Sequence, residues 1–446
     1  MVRESEKIIV IGGGLAGLSA SVKILEGGYS GDLVLLEKSP SVGGRTGSVD
    51  YRGRILDLGQ HMHVSGFDFY LRFLDLIGLS EDLMTQSRLD VEFRDKSGNV
   101  GRVRSNRLPP PFHLLSATYN FPFISSSDKL SLVGPVVAAL AFGSEDEEND
   151  RSFGDWLREK GASEKSIRRL WNQIIVPTLN AKVGEVSVHM GLMILKRVLL
   201  DKQGGRLGRL DGSMSKIGDS AVNFIENHGG EVRGSSPVEA VELKDEGRHL
   251  VQLKDDNKIG ADLVLSAVPG HRLEEVLTDS ALNRFSCPFW DLEWNSIINV
   301  HLFFREDVME QDFFGFLEGT AGWVFNVTDS GANSEGHICL TLSDPGELEK
   351  ISTRELVSRV RRDLASPLPR VRETELEDSV ALYQPRATFI GSPGSSSLRP
   401  PQNPPLGGLY LAGDWTDTGW PATMEGAVRS GYYAAEEVLG SFDPEP

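Results

Sequence analysis

Two cysteines, Cys287 and Cys339, are all that this 446-residue chain carries. They are too few for a disulfide framework, a zinc site or an iron–sulfur cluster, so no metal is expected. Long apolar runs are also missing, with no stretch near the roughly 18 residues that a spanning helix needs. The amino terminus lacks the basic, apolar, small-residue pattern of a secretory signal, because Lys7 leads straight into Ile8-Ile9-Val10-Ile11. Positive charge is scarce: 46 Lys and Arg against 64 Asp and Glu give a net charge of −18, which argues against nucleic acid as a partner. These shortages point to a cytoplasmic protein, with the inner face of the plasma membrane open to a local apolar patch. Hydrophobic content of 39% and charged content of 25% are ordinary for a globular chain, here long enough for two or three domains.

The strand-like Ile8–Ile11 run leads at once into Gly12-Gly13-Gly14-Leu15-Ala16-Gly17. Gly12, Gly14 and Gly17 have the G-x-G-x-x-G spacing: a tight turn, a close backbone approach to pyrophosphate, and close helix–strand packing. A helix over Leu15–Leu25 then points its positive end at the phosphates. A second buried strand, Leu33-Val34-Leu35-Leu36, ends at Glu37, twenty residues past Gly17. A carboxylate there suits the two hydroxyls of an adenosine ribose and repels a 2′-phosphate. Strand, glycines, helix, strand and acid in this order define a dinucleotide site, equally open to NAD and FAD.

Two further motifs favour FAD. The run from Glu37 and Lys38 to Gly43-Gly44-Arg45 brings a second pair of glycines, with an arginine to supply charge to phosphate. Near the other end, Gly408–Asp414 reads as a strand closing on Gly413-Asp414, where Gly413 permits close approach and Asp414 is placed to bind a ribityl hydroxyl. Together these motifs resemble the FAD-containing amine oxidase and carotenoid desaturase superfamily. The resemblance implies an α/β fold: a discontinuous Rossmann-like FAD domain over 1–90, 205–275 and 405–440, and an inserted mixed α+β substrate domain over 91–204 and 276–404. It also places Val238 against the adenine, and Gly59, Gln60 and His61 beside the flavin.

Within that superfamily, the turn Asp57-Leu58-Gly59-Gln60-His61 and the closing stretch Trp415–Gly431 resemble the hydroxysqualene dehydroxylases, squalene-associated FAD-dependent enzymes of bacterial hopanoid pathways. Trp420 and Met424 depart from that pattern by their size. The resemblance implies reduction of the isoprenoid hydroxysqualene to squalene, with other squalene-pathway enzymes as partners. Carotenoid desaturation, amine oxidation and a flavin-binding scaffold without turnover are the alternatives, and amine oxidation is weakened by the lack of an identifiable flavin-side lysine. An insertion over about 109–143, rich in Leu, Val, Phe and Ala, is too short to span a membrane. It reads either as a buried core helix or as a segment lying in a membrane interface. Arg102, Arg104, Arg107 and Lys129 flank it, and Glu145–Asp150 then returns to solvent.

Loss of an allylic hydroxyl requires a proton donor, a hydride and a dry pocket. The acids expected near the flavin are Asp417, His61 and Glu425, in that order, each with a plainer alternative as a turn, flavin or helix-end residue. Trp415 and Trp420 are the expected pocket walls. Gly426 and Ala427 open a helix, Ala427–Leu439, expected to present N–H groups to the pyrimidine end of the flavin.

Overall fold

The computed structural model describes residues 6–141, 151–201, 205–245, 247–328 and 336–442. The acidic run Glu145–Asp150 and the last two residues of the 109–143 insertion lie outside them.

Three pieces of chain, distant in sequence, build one five-stranded parallel sheet in the order Glu231–Arg233, Asp32–Leu36, Lys7–Ile11, Leu263–Ser266, Leu409–Leu411. Ile8 and Val10 pack with the helices Leu15–Glu26, Ser215–Asn227 and Met424–Phe442, whereas Ile9 and Ile11 pack with residues of Val238–Leu253 and with Leu273. Successive side chains of a strand face opposite ways, so covering both faces requires an uninterrupted apolar run. Sequence order reverses at the first strand, between Asp32–Leu36 on one side and Leu263–Ser266 on the other. Such switch points are where doubly wound folds bind ligands, beyond the carboxyl ends of the strands.

A second, seven-stranded sheet runs Leu376–Phe389, Trp294–Phe304, His337–Ser343, Trp323–Asn326, Phe313–Leu317, Asp90–Asp95, Val100–Arg104. It is antiparallel except where Phe313–Leu317 meets Asp90–Asp95. One face buries Ile298, Val300 and Leu302 under Leu356, Val360 and Leu364 of the helix Thr353–Leu364. The intervening residues Asn299, His301 and Phe303 therefore face the other way, toward the hairpin Ser48–Asp57 and the turn after it. There Asn299 donates to the Leu58 carbonyl at 3.0 Å, and the Arg54 guanidinium lies 4.2 Å from the centre of the Phe303 ring. Helices between Phe112 and Leu200 complete this half. Cys287 and Cys339 are both free and buried. Among the described residues no helix is long and apolar enough to cross a membrane.

Candidate flavin site

The first glycine turn is required by packing. Gly12 sits at φ +106°, and a Cβ on Gly17 would lie 2.0 Å from the Gly12 carbonyl oxygen, so the helix Leu15–Glu26 reaches the strand only if residue 17 has no side chain. Among the described residues no side chain caps that helix, so its first-turn amides suit a ligand. The Gly43-Gly44 turn lies directly against it. The Gly43 amide donates to the Gly13 carbonyl at 2.7 Å, and a Cβ on Gly44 would lie 3.0 Å from Gly14 Cα. Two backbone loops thus form one side-chain-free cradle at the switch point, which fits a pyrophosphate.

Glu37 is buried beside the cradle. One carboxylate oxygen accepts from the Gly13 amide at 2.7 Å and the other from the Ser39 amide at 2.8 Å. Each keeps a lone pair for a ribose hydroxyl. Lys38 is exposed. Val238 is buried just beyond a segment tied to this acid, since the Ser236 amide donates to the Glu37 carbonyl at 2.8 Å.

Further along, several of the expected residues find partners within the protein. Arg45 forks onto Asp414, with Nη2 2.8 Å from one carboxylate oxygen and Nη1 2.8 Å from the other, and Nη1 also donates to the Ala387 carbonyl. The arginine expected on phosphate and the aspartate expected on a ribityl hydroxyl are therefore engaged with each other. They join the first cofactor loop to the last.

His61 Nε2 lies 3.0 Å from the Arg45 carbonyl oxygen, and burial holds its pKa below the usual histidine range. A carbonyl only accepts, so the neutral ring carries its proton on Nε2 and donates it to the backbone. That arrangement fixes the arginine loop and disfavours His61 as an acid. A Cβ on Gly59 would fall 2.8 Å from the same nitrogen, so Gly59 makes room for the ring. Gln60 and Asp57 border a small void beside His301 and His337. Asp57 itself accepts from Ser48 Oγ, Ser213 Oγ and the Met214 amide, at 2.6, 3.0 and 3.1 Å.

Glu425 is 0% exposed. Its oxygens accept from the Phe69 and Tyr70 amides at 3.2 and 2.8 Å, and Arg429 Nε donates to it at 2.7 Å. It therefore caps the helix Asp68–Leu76 from across the fold. Burial pushes its pKa up, and these three donors oppose that push.

Asp417 is exposed, and among the described residues its carboxylate meets no donor. Only its backbone is held, through the Pro400 carbonyl and Gln402 Nε2. An exposed, unpaired carboxylate lacks the desolvated setting of a resident acid. Trp415, an expected pocket wall, is packed inside: it is 1% exposed, its Nε1 donates to the Val268 carbonyl at 3.0 Å, and its ring centre lies 5.2 Å from that of Phe289. Trp420 is also packed inside, edge-on to Phe67 at 6.0 Å and 4.5 Å from the Arg429 guanidinium.

The final helix begins at Met424, three residues before the expected start. The Gly426 amide is taken by Thr423 Oγ1 at 3.1 Å and the Ala427 amide by the Thr423 carbonyl at 3.0 Å. Among the described residues, the first-turn donors left to serve a flavin are thus those of Met424 and Glu425. Gly426 is required all the same, since a Cβ there would lie 2.4 Å from the Pro421 carbonyl oxygen.

Two residues without a motif hold the closing loop. Arg399 is fully buried and donates to the carbonyls of Asp414, Trp415 and Thr416 and to Thr418 Oγ1; burial lowers its pKa to about 10. Gln402 donates to Thr416 Oγ1 and the Asp417 carbonyl, both at 2.9 Å. Their one sequence signal is polar side chains in a proline-rich stretch, which names no partner.

A doubly wound sheet with a glycine cradle at its switch point, joined to a large, mostly antiparallel sheet, fits an FAD-dependent oxidoreductase. The flavin-containing amine oxidoreductase family model matches residues 15–439, and the chain belongs to that family. Hydroxysqualene dehydroxylase of Zymomonas mobilis is 26% identical over 439 residues, covering 96% of this chain and 98% of its own. The 15-cis-phytoene desaturase of Solanum lycopersicum is 24% identical over 461 residues, covering 98% and 78%. Among solved structures, cyclohexylamine oxidase from Brevibacterium oxydans superposes with a TM-score of 0.70 at 17% identity, over 98% of this chain and 99% of its own.

Proposed function

We propose that the protein is a reductive dehydroxylase that converts hydroxysqualene to squalene in squalene and hopanoid biosynthesis. The observation that carries this reading is the end-to-end similarity to the Zymomonas mobilis dehydroxylase. The two glycine turns and Glu37 would hold FAD, which in its reduced form would supply the hydride. The allylic alcohol takes up that hydride and a proton and releases water, so the carbon–oxygen bond is replaced by carbon–hydrogen. The chain's own part is placement and exclusion of water. Arg45 and Asp414 lock the two cofactor loops together, His61 donates its proton to the Arg45 carbonyl, and Arg399 and Gln402 hold the closing loop shut. A loop fixed in this way would help keep water from an allylic cation.

A polyene desaturase is the second reading, favoured by the similarity to phytoene and zeta-carotene desaturases. It uses the same placement with hydride moving the other way. The discriminating experiment is anaerobic: pre-reduced protein is mixed with hydroxysqualene while flavin absorbance and product mass are followed. Reoxidation coupled to squalene formation is expected. No reoxidation, together with bleaching of the oxidised flavin by phytoene, would replace the dehydroxylase with the desaturase.

A further inference from the structure

Large apolar side chains stand exposed in one stretch of the molecule well outside the cofactor site. Leu130, Val133, Val137 and Leu140 are 73%, 54%, 57% and 54% exposed. Their spacing of three, four and three residues puts them on one face of near-continuous helix, across Ser126–Leu130 and Val133–Ala141. The opposite face is anchored, with Leu132, Pro135 and Ala139 buried. Leu108, Phe112 and Tyr119 extend the exposed surface on the preceding segment, Tyr119 at 78%. An apolar patch of this kind marks an interaction surface.

Cations sit at its edge. Arg107 is exposed beside Leu108, and Lys129 reaches across to the Tyr119 carbonyl at 2.6 Å, its ammonium 5.8 Å from the centre of the Tyr119 ring. This basic rim stands out on a chain of net charge −18. A layer of aromatic residues runs inward from the patch: Phe121 packs against Phe123 at 5.1 Å and Phe93 at 5.7 Å, and Phe93 meets Trp323 of the large sheet at 6.1 Å.

We propose that this face docks the protein onto the surface of an anionic phospholipid bilayer, with the apolar side chains at the boundary between headgroups and acyl chains and Arg107 and Lys129 at the phosphates. The nine-residue helix Val133–Ala141 rises only about 14 Å, against a hydrocarbon core of about 30 Å, so the helix lies in the interface and does not cross it. Two copies paired symmetrically through this face would bring like cationic rims together, whereas anionic headgroups attract them, which favours a lipid surface. Docking of this face does not rest on the dehydroxylase or desaturase reading.

The test is co-sedimentation of the FAD-loaded full chain with vesicles of phosphatidylcholine, with and without phosphatidylglycerol, and no turnover is required. The wild type is expected to pellet with vesicles containing phosphatidylglycerol. Because Val137 and Leu140 are exposed, Val137→Glu with Leu140→Glu should leave the fold and flavin content unchanged while lowering partitioning about 100-fold. Lys129→Glu should weaken binding about fivefold, and only to vesicles with the anionic lipid. Wild type that stays in the supernatant, or a double variant that pellets equally, overturns the proposal. So does light scattering that shows a dimer lost in the double variant without vesicle binding, since the face would then pair two copies. Vesicle binding by a protein that neither dehydroxylates nor desaturates would leave docking standing and remove the proposed activity.

Discussion

The two sides of the flavin site are built by opposite means. On the amino-terminal side, side chains are absent: Gly12, Gly14, Gly17, Gly43 and Gly44 let two loops and a helix end approach one another until backbone touches backbone. On the carboxy-terminal side, side chains are plentiful and hold one another. Asp414 is held by Arg45, Glu425 by Arg429 and two amides, and the loop carbonyls by Arg399. A cradle made of backbone has little to offer except to a ligand. Charged residues that already satisfy one another serve the fold first, and the chemistry through position.

That contrast can be broken at either end. The largest effect is expected from Gly17→Val, whose Cβ would clash with the Gly12 carbonyl, at a cost on the order of 4 kcal/mol. Flavin absorbance per protein and thermal unfolding should both collapse. Gly440→Ala, with nothing near its Cβ, should instead stabilise the last helix by about 0.5–1 kcal/mol. If Gly17→Val kept its flavin, the close-approach argument would fail.

Next is Glu425→Ala, which leaves Arg429 and two helix amides without their acceptor and should cost about 3–5 kcal/mol in denaturant unfolding. A Glu425→Gln protein of full stability but with abolished turnover would instead return this residue to the role of acid.

Three buried histidines make a smaller contribution that depends on pH. Burial holds the pKa values of His63 and His301 down to about 4 and that of His337 to about 3, against about 6.5 in an unfolded chain. Below pH 6.5 the unfolded chain takes up protons that the folded protein refuses. The stability present above that pH is therefore lost as pH falls toward about 4. Unfolding temperatures measured across this window should drop, and His301→Gln with His337→Gln should flatten the slope. A flat wild-type profile would contradict the buried neutral pair His301 and His337, whose Nδ1 and Nε2 lie 3.0 Å apart.

Smallest of all is Asp417→Asn. As an exposed substitution it should change turnover by no more than about twofold. A loss of 100-fold or more would show that this carboxylate enters the reaction, against its place in the structure.

Much of the fold could be read from local rules. The glycine spacing, the apolar runs of the parallel strands and Glu37 each act within a short segment, and a G-x-G-x-x-G turn allows few backbone solutions. The closing segment could not be read this way. Nothing near Glu425 in sequence reveals that the helix Asp68–Leu76 lacks its own cap, and nothing near Trp415 reveals the Val268 carbonyl. Arg399 shows why: its four acceptors lie 15 to 19 residues further along the chain, and only the folded loop brings them to its guanidinium. The apolar 109–143 insertion was recognisable by its composition, but whether its side chains pointed inward or outward depended on which other residues packed beneath them.

The most direct test of the reductive reading is a single anaerobic turnover of the reduced, FAD-loaded protein with hydroxysqualene in D2O. The account predicts squalene carrying deuterium at the carbon that lost its hydroxyl, formed as the flavin reoxidises. Squalene without deuterium, or unchanged hydroxysqualene beside flavin that stays reduced, would contradict it.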